Sequence, residues 1–411
     1  MLHRFATGVA KRLRSEGFET FFAGGCVRDR LLGRTPKDYD VATSATPDEV
    51  EALFRTSDTF TVPVGAAFGV ICIVDPATKM QVEVATFRSD GAYLDGRHPV
   101  GVTFSTAEED AQRRDFTING LFLDPETEEV IDFVDGQADL ENKIVRAIGD
   151  PTARFTEDKL RLLRAVRFTA TLGFQLQEKT AAAIRNMPEA LRVVSAERIT
   201  AELEKMLLDA SRAKGLRMLL DLKLLPTLFP ESMPMPGEQQ FTNLLEVEAE
   251  LQTPSLPLAL APLLAAITDA EGAQEVSKRW RLSTRQANRI AWLIQNQREL
   301  YGATGKNWSQ LQRLLAHQGR EELVGWLAAE VACKRAEADD LAYCRERIAW
   351  PEEKLNPPPL LSGDTLIAAG LVPGKNFAHL IESTRDAQLD GHISTPEEAI
   401  EYAKQLADRE A

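Results

Sequence analysis

Phe21-Phe22-Ala23-Gly24-Gly25-Cys26-Val27-Arg28-Asp29, with Asp38-Tyr39-Asp40-Val41 ten residues after Arg28, is the stretch that decides the fold. Its first half reads as a strand that ends in two glycines and runs into a helix. Such a turn lets backbone N–H groups approach an anion, and the helix start adds a favourable dipole. Arg28, one turn in, carries a guanidinium suited to phosphate oxygens. In a strand, residues two apart point the same way, so the carboxylates of Asp38 and Asp40 converge on one side. Paired hard oxygen donors suit magnesium and a two-metal phosphoryl transfer. An isolated Asp-x-Asp is more often a solvated turn; the Gly-Gly turn at short, fixed distance reverses that reading.

Outward from this centre, Gln81-Val82-Glu83-Val84-Ala85 alternates as a strand. Glu83 therefore faces away from the two valines, either as a third acidic ligand or as a solvent-facing residue of an edge strand. The run Asp110 to Gly120 sets Arg113 and Arg114 against Asp110 and Asp115 before an apolar helix start. Two roles fit it: contact with ribose and phosphate through Arg114, Asp115 and Asn119, or an ion-pair network capping a helix. From Glu157 to Phe168, Arg161, Arg164 and Arg167 follow Asp158 at three-residue intervals on one helical ridge, with Leu160, Leu163 and Phe168 turned inward. A carboxylate and a guanidinium one turn apart can read the edge of a base, whereas surface salt bridges are the alternative.

Composition bounds the rest. At 411 residues the chain holds two to four domains, and 62 acidic against 48 basic residues give a net charge of -14. That balance excludes indiscriminate binding to nucleic acid or acidic membranes, so any RNA contact uses local basic patches. Cys26, Cys72, Cys333 and Cys344 show no CxxC spacing, as expected of reduced thiols in the cytoplasm. The apolar run near Leu256 to Ile267 contains two prolines and is too short for a membrane span, which needs about 20 residues. Arg4, Lys11, Arg12 and Arg14 precede the first acidic residue, Glu16; they read as an amphipathic first helix rather than a transit peptide. The five histidines are scattered, which argues against a histidine-built metal centre.

Short β-rich runs at Val70 to Val74, Gln81 to Thr86 and Leu121 to Leu123 alternate with helical stretches up to about Asp135. Beyond Asp150 strand signals vanish and apolar positions recur at helical spacing. The fold class is α+β, a mixed-sheet head followed by an all-helical remainder, with proline-bearing breaks at Pro230 to Pro236 and Asn356 to Pro359.

Taken together, Gly24-Gly25-x-Val27-Arg28-Asp29, Asp38-x-Asp40, Arg113-Arg114-Asp115-Phe116-Thr117-Ile118-Asn119 and Glu157-Asp158-x-x-Arg161 strongly resemble the class II tRNA nucleotidyltransferases. The resemblance covers roughly the first 210 residues, with Asp132 to Gly149 similar to the family's hinge and Ser195 to Leu203 to a neck-helix motif. It implies a DNA-polymerase-beta-like head at 1–140, then helical neck, body and tail at 141–230, 231–355 and 356–411. It also implies stepwise addition of CTP- and ATP-derived nucleotides to the tRNA 3′ end, giving CCA and releasing pyrophosphate. On that analogy Asp38 and Asp40 hold magnesium, and Gly25, Arg28 and Arg114 bind phosphates and sugar. Asp158 and Arg161 pair with the base, supported by Arg164 and Arg167. Ser89 to Pro99 looks like the family's flexible loop, and Leu361 to Leu380 is similar to the tail of long bacterial members. The alternatives are a poly(A) polymerase, disfavoured by Val64 to Val70, and a catalytically silent RNA-binding relative, disfavoured by the intact aspartates. Oligomeric state is left open by the sequence.

Overall fold

The structure, a computed structural model, describes residues 1–410 apart from 57, 66–67, 91–101 and 375. It forms two compact units, Met1–Pro230 and Glu231–Ala411.

The first unit opens with helix α1 (Leu2–Ser15), which buries Ala6, Val9, Ala10 and Leu13, the spacing of one helical face. Strand β1 (Thr20–Ala23) runs into α2 (Gly25–Leu31), and β2 (Asp40–Thr43) is followed by α3 (Pro47–Phe54). Thr46 and Glu49 cap α3 reciprocally, with Pro47 at its first position. Strands β3 (Phe60–Gly65), β4 (Val70–Val74) and β5 (Gln81–Thr86) come next, then the hairpin β6 (Arg88–Asp90) and β7 (Val102–Phe104). After α4 (Ala107–Gln112) come β8 (Phe122–Leu123), β9 (Val130–Ile131), α5 (Gly136–Glu141) and β10 (Ile144–Val145). The head sheet has the order β3-β4-β5-β2-β1-β8-β9 and is antiparallel except where β2 meets β5. Phe21, Phe87 and Phe122 pack at 6.0 to 6.2 Å between ring centroids over one face, with Ala107 and Ala111 of α4 against them. Each such buried ring contributes roughly 1.5–3 kcal/mol by removal from water.

Helices α6 (Pro151–Glu157) and α7 (Arg161–Leu172), the short strand β11 (Gln175–Leu176), α8 (Glu178–Asn186), α9 (Ala196–Leu207), α10 (Arg212–Asp221) and α11 (Leu225–Leu228) complete the unit. β11 pairs in parallel with β10, a strand beyond Asp150 that the apolar periodicity concealed because it is only two residues long. The helix expected through Glu157 to Phe168 is in fact two, broken at Asp158, whose extended φ of -132° ends α6. Where an apolar helix was expected after Arg114, only the single 3₁₀ turn Thr117–Asn119 forms.

The second unit is helical throughout its described regular elements, from Glu238–Glu250 to Pro396–Glu410. Leu366, Leu380, Ala387, Ala399 and Ala403 build a core of their own near its C-terminal end. Among the described residues no helix is long and apolar enough to cross a membrane.

Candidate active site

The head sheet's register gathers the acidic residues. Ala23, last in β1, pairs with Asp40, first in β2, so the Gly24-Gly25 turn leaves the sheet beside that carboxylate. Parallel pairing of Val41 with Val84 sets Glu83 alongside Asp40, one step earlier on each strand. β5 lies between β4 and β2, so the edge-strand reading of Glu83 is wrong, though the side chain does face outward. Asp38 lies before β2 rather than on it. The alternation expected of a strand nevertheless extends back to it: Asp38 and Asp40 are exposed while Tyr39 is buried between His3 and Phe22, at 5.1 and 5.4 Å.

Asp38, Asp40 and Glu83 line one end of a cleft of about 890 Å³ together with Gly24, Gly25 and Arg28. Water reaches Asp40 from the open side, but the protein packed behind it, then Asp38, then Glu83, push its carboxyl up to about 6 against the pull of Arg114. Negative charge is therefore in excess here, as expected of a site that meets a cation. Among the described residues no three His, Cys, Asp or Glu side chains converge closely enough to hold a metal by themselves. Magnesium commonly uses one or two carboxylates and completes its shell with water and substrate phosphates, and this donor set fits that habit.

The turn depends on Gly24 more than on Gly25. Its φ of 72° with ψ of -123° is backbone open to glycine, and an added Cβ would stand 2.9 Å from Nη1 of Arg114. Arg114 is fixed by Asp110, which is 1% exposed and accepts from both Arg113 (Nη2, 2.6 Å) and Arg114 (Nη2, 2.9 Å). Burial would raise the Asp110 carboxyl, but Arg114 and Arg113 outweigh it and hold it low.

At the cleft's other end Asp115 and Asn119 take part in a hydrogen-bonded ion-pair network. Both are buried. Arg28 donates from Nη1 to Oδ1 of Asn119 (2.6 Å), Asn119 donates to Oδ1 of Asp115 (3.0 Å), and Arg164 donates from Nε to Oδ2 of Asp115 (2.8 Å). Burial alone would raise Asp115, yet Arg164, Asn119 and Arg161 hold it down to about 2. The arginines of α7 are not a solvated ridge: Arg161 is buried and donates to Glu157 (2.9 Å) and to the backbone oxygen of Arg113 (2.8 Å). Asp158 accepts from Arg198 (2.7 Å) and from the Leu160 amide (3.1 Å).

All twelve candidate residues line this one cleft: Gly25, Arg28, Asp38, Asp40, Glu83, Arg114, Asp115, Asn119, Asp158, Arg161, Arg164 and Arg167. Sequence reasoning missed Glu202 of α9, which is 5% exposed and accepts from Arg164 (3.4 Å) and Arg167 (2.5 Å). The available signal was a glutamate beside Leu203 on the helix face that buries Leu203 and Met206. Arg198, Lys205 and Phe168 were likewise not singled out as site residues. The loop expected from Ser89 to Pro99 lies largely outside the described residues, as do Ala66 and Ala67 of the Val64 to Val70 stretch.

Known proteins resemble this chain over most of its length. Residues 20–146 match the family described as the poly A polymerase head domain, and 173–235 match the probable RNA and SrmB-binding site of polymerase A. The CCA-adding enzyme of Enterococcus faecalis is 33% identical over 409 residues, covering 96% of this chain and 94% of the relative. That of Geobacillus thermodenitrificans is 44% identical over 217 residues, about half of each chain (53% and 52%). The crystal structure of the Bacillus stearothermophilus CCA-adding enzyme in complex with CTP superimposes with a TM-score of 0.77 at 27% identity, covering 99% of this chain and 98% of that one. The Thermotoga maritima CCA-adding enzyme complexed with tRNA shares the fold, with a TM-score of 0.66 at 21% identity.

Proposed function

The chain belongs to the CCA-adding enzymes, tRNA nucleotidyltransferases built on the poly A polymerase head, and from that premise we propose how its own residues carry out the reaction. It adds C, C and A from CTP and ATP to the 3′ end of tRNA without a nucleic-acid template. In each step the terminal 3′-oxygen bonds to the α-phosphorus of the incoming nucleotide, the bond to the β-phosphate breaks, pyrophosphate leaves, and the hydroxyl proton is released.

The cleft's polarity supports this assignment of roles. Asp38 and Asp40 would hold magnesium, with Glu83 as the third carboxylate beside them. Bound there, the metal supplies charge neutralisation and a more acidic 3′-hydroxyl. Arg28, the Gly24-Gly25 turn and Arg114 seat the triphosphate and sugar, while Asp158 and Arg161 read the edge of the base. Asp115, Asn119, Arg164 and Arg167 keep those groups in place. Each Asp158 oxygen can accept a second hydrogen bond, and Arg161 has five donors, so both can address a base without dissolving their present contacts. The four cysteines are free, which suits the reducing cytoplasm where tRNA is processed.

The observation that carries this reading is the single cleft with unbalanced carboxylates at one end and ordered arginines at the other. The test is incubation of the purified chain with magnesium, a tRNA ending before CCA, and CTP and ATP singly and together. Stepwise CC and then CCA products are expected. Long homopolymeric tails with ATP alone, or no incorporation at all, would overturn the assignment.

A further inference from the structure

Three guanidiniums of the cleft gather around one apolar side chain. Phe168 on α7 is 6% exposed, and the guanidinium carbons of Arg167, Arg28 and Arg164 stand 3.9, 5.1 and 5.2 Å from its ring centroid. Phe116 meets it edge-on at 5.8 Å and 77°, which fixes the ring's tilt. Arg28 arrives from α2, at the phosphate end, and Arg164 and Arg167 from α7, beside the base readers. Three cations this close repel one another. They are gathered here because an aromatic face carries negative charge density and because Asp29, Asp115 and Glu202 neutralise them at 2.7, 2.7 and 2.5 Å.

We propose that Phe168 is a positioning residue of the transfer reaction: its ring holds the phosphate-seating Arg28 and the neck arginines in one register, so that phosphate placement and base choice are set by a single rigid unit. The proposal rests on the roles given above to Arg28, Asp158 and Arg161, and deepens them. A leucine would keep most of the apolar volume and lose the charged face, whereas a tyrosine would keep the face. The two substitutions therefore separate electrostatic positioning from packing.

The experiment measures kcat and KM for CTP, ATP, UTP and GTP on a tRNA lacking CCA, using the full chain, Phe168→Leu, Phe168→Tyr, Arg167→Gln and the Phe168→Leu/Arg167→Gln double variant, with thermal melting alongside. Phe168→Leu should raise KM for CTP and ATP and cut preference over UTP and GTP roughly tenfold, as loss of one or two aromatic–cation contacts implies. Phe168→Tyr should restore selectivity, and the double variant should lose no more than Phe168→Leu alone. Unchanged selectivity in Phe168→Leu, or equal impairment of the Leu and Tyr variants in step with melting temperature, overturns the proposal. Should Phe168→Leu fail to fold, Arg167→Gln decides, and full retention of nucleotide choice there overturns it. Asp158→Ala serves as the control. If it scrambles nucleotide choice while Phe168→Leu does not, the base-reading assignment stands and the hub falls; if the parent chain adds neither C nor A, both fall.

Discussion

The two ends of the cleft are built on opposite charge logic. At the sheet end, Asp38, Asp40 and Glu83 line the same wall with Arg114 as the counter-charge acting on Asp40, and burial, then Asp38 and Glu83, raise the Asp40 carboxyl to about 6. At the helix end, each guanidinium has a carboxylate partner: Arg161 with Glu157, Arg164 with Asp115, Arg167 with Glu202, Arg198 with Asp158. One end stores unbalanced charge that a divalent cation would relieve. The other is cross-braced by paired charges.

The largest expected effect breaks the sheet end. Asp40→Ala or Asp38→Ala should lower incorporation by roughly three orders of magnitude or more, since a metal ion supplies several kcal/mol of transition-state stabilisation. Circular dichroism should remain that of the parent and melting should not fall, because the carboxylates repel one another in the metal-free protein rather than brace the fold. Turnover within tenfold of the parent would remove them from the chemistry. At the helix end the balance reverses, and stability suffers first. Asp115→Ala leaves the half-buried Arg164 with only its longer contact to Glu202 and should cost about 3 kcal/mol in urea denaturation. A loss under about 1 kcal/mol would mean that Glu202 alone suffices for Arg164.

Selectivity sharpens the contrast further. Asp158→Ala and Arg161→Ala should each erode discrimination among nucleotides by roughly 10- to 100-fold, the worth of one or two hydrogen bonds to a base edge. Equal loss of kcat/KM for all four nucleotides would reassign these residues to the scaffold. Between the ends sits Gly24, where Gly24→Ala forces a strained backbone and displaces Arg114, at about 1–3 kcal/mol of stability. Melting within a degree of the parent would show that the turn can rearrange.

Legibility in the sequence followed the same division. The sheet end could be read because its evidence is local: β4 and β5 coincide with the β-rich runs Val70 to Val74 and Gln81 to Thr86, and Asp38 and Asp40 are two residues apart. What periodicity could not supply was which strands are neighbours, and so Glu83 stayed ambiguous until β5 was found beside β2. The helix end was read less well because its partners are distant in the chain. Arg164 meets Asp115 across 49 residues and Arg167 meets Glu202 across 35, and no spacing rule connects them. Without those carboxylates in view, Arg161, Arg164 and Arg167 look like a wet ridge. Phe168 looks like ordinary core for the same reason, its three cations lying on two different elements.

The smallest expected effect is the one that tests the charge logic most directly, because its sign differs between the ends. A raised carboxyl binds its proton more tightly in the folded state, so Asp40 costs the metal-free fold stability as pH rises from about 4 through about 6, and that cost is absent below about 4. Asp115, held down to about 2, does the opposite: it contributes stability above about 4 that is lost as pH falls toward 2. Asp40→Asn in metal-free protein should therefore melt slightly higher than the parent at pH 7, with the gap closing by pH 4 and shrinking when magnesium is added at pH 7. Asp115→Asn should melt lower at pH 7, with its gap closing only as pH approaches 2. If both variants shift melting in the same direction at pH 7, the two ends do not differ in charge balance, and the division of labour drawn from it is wrong.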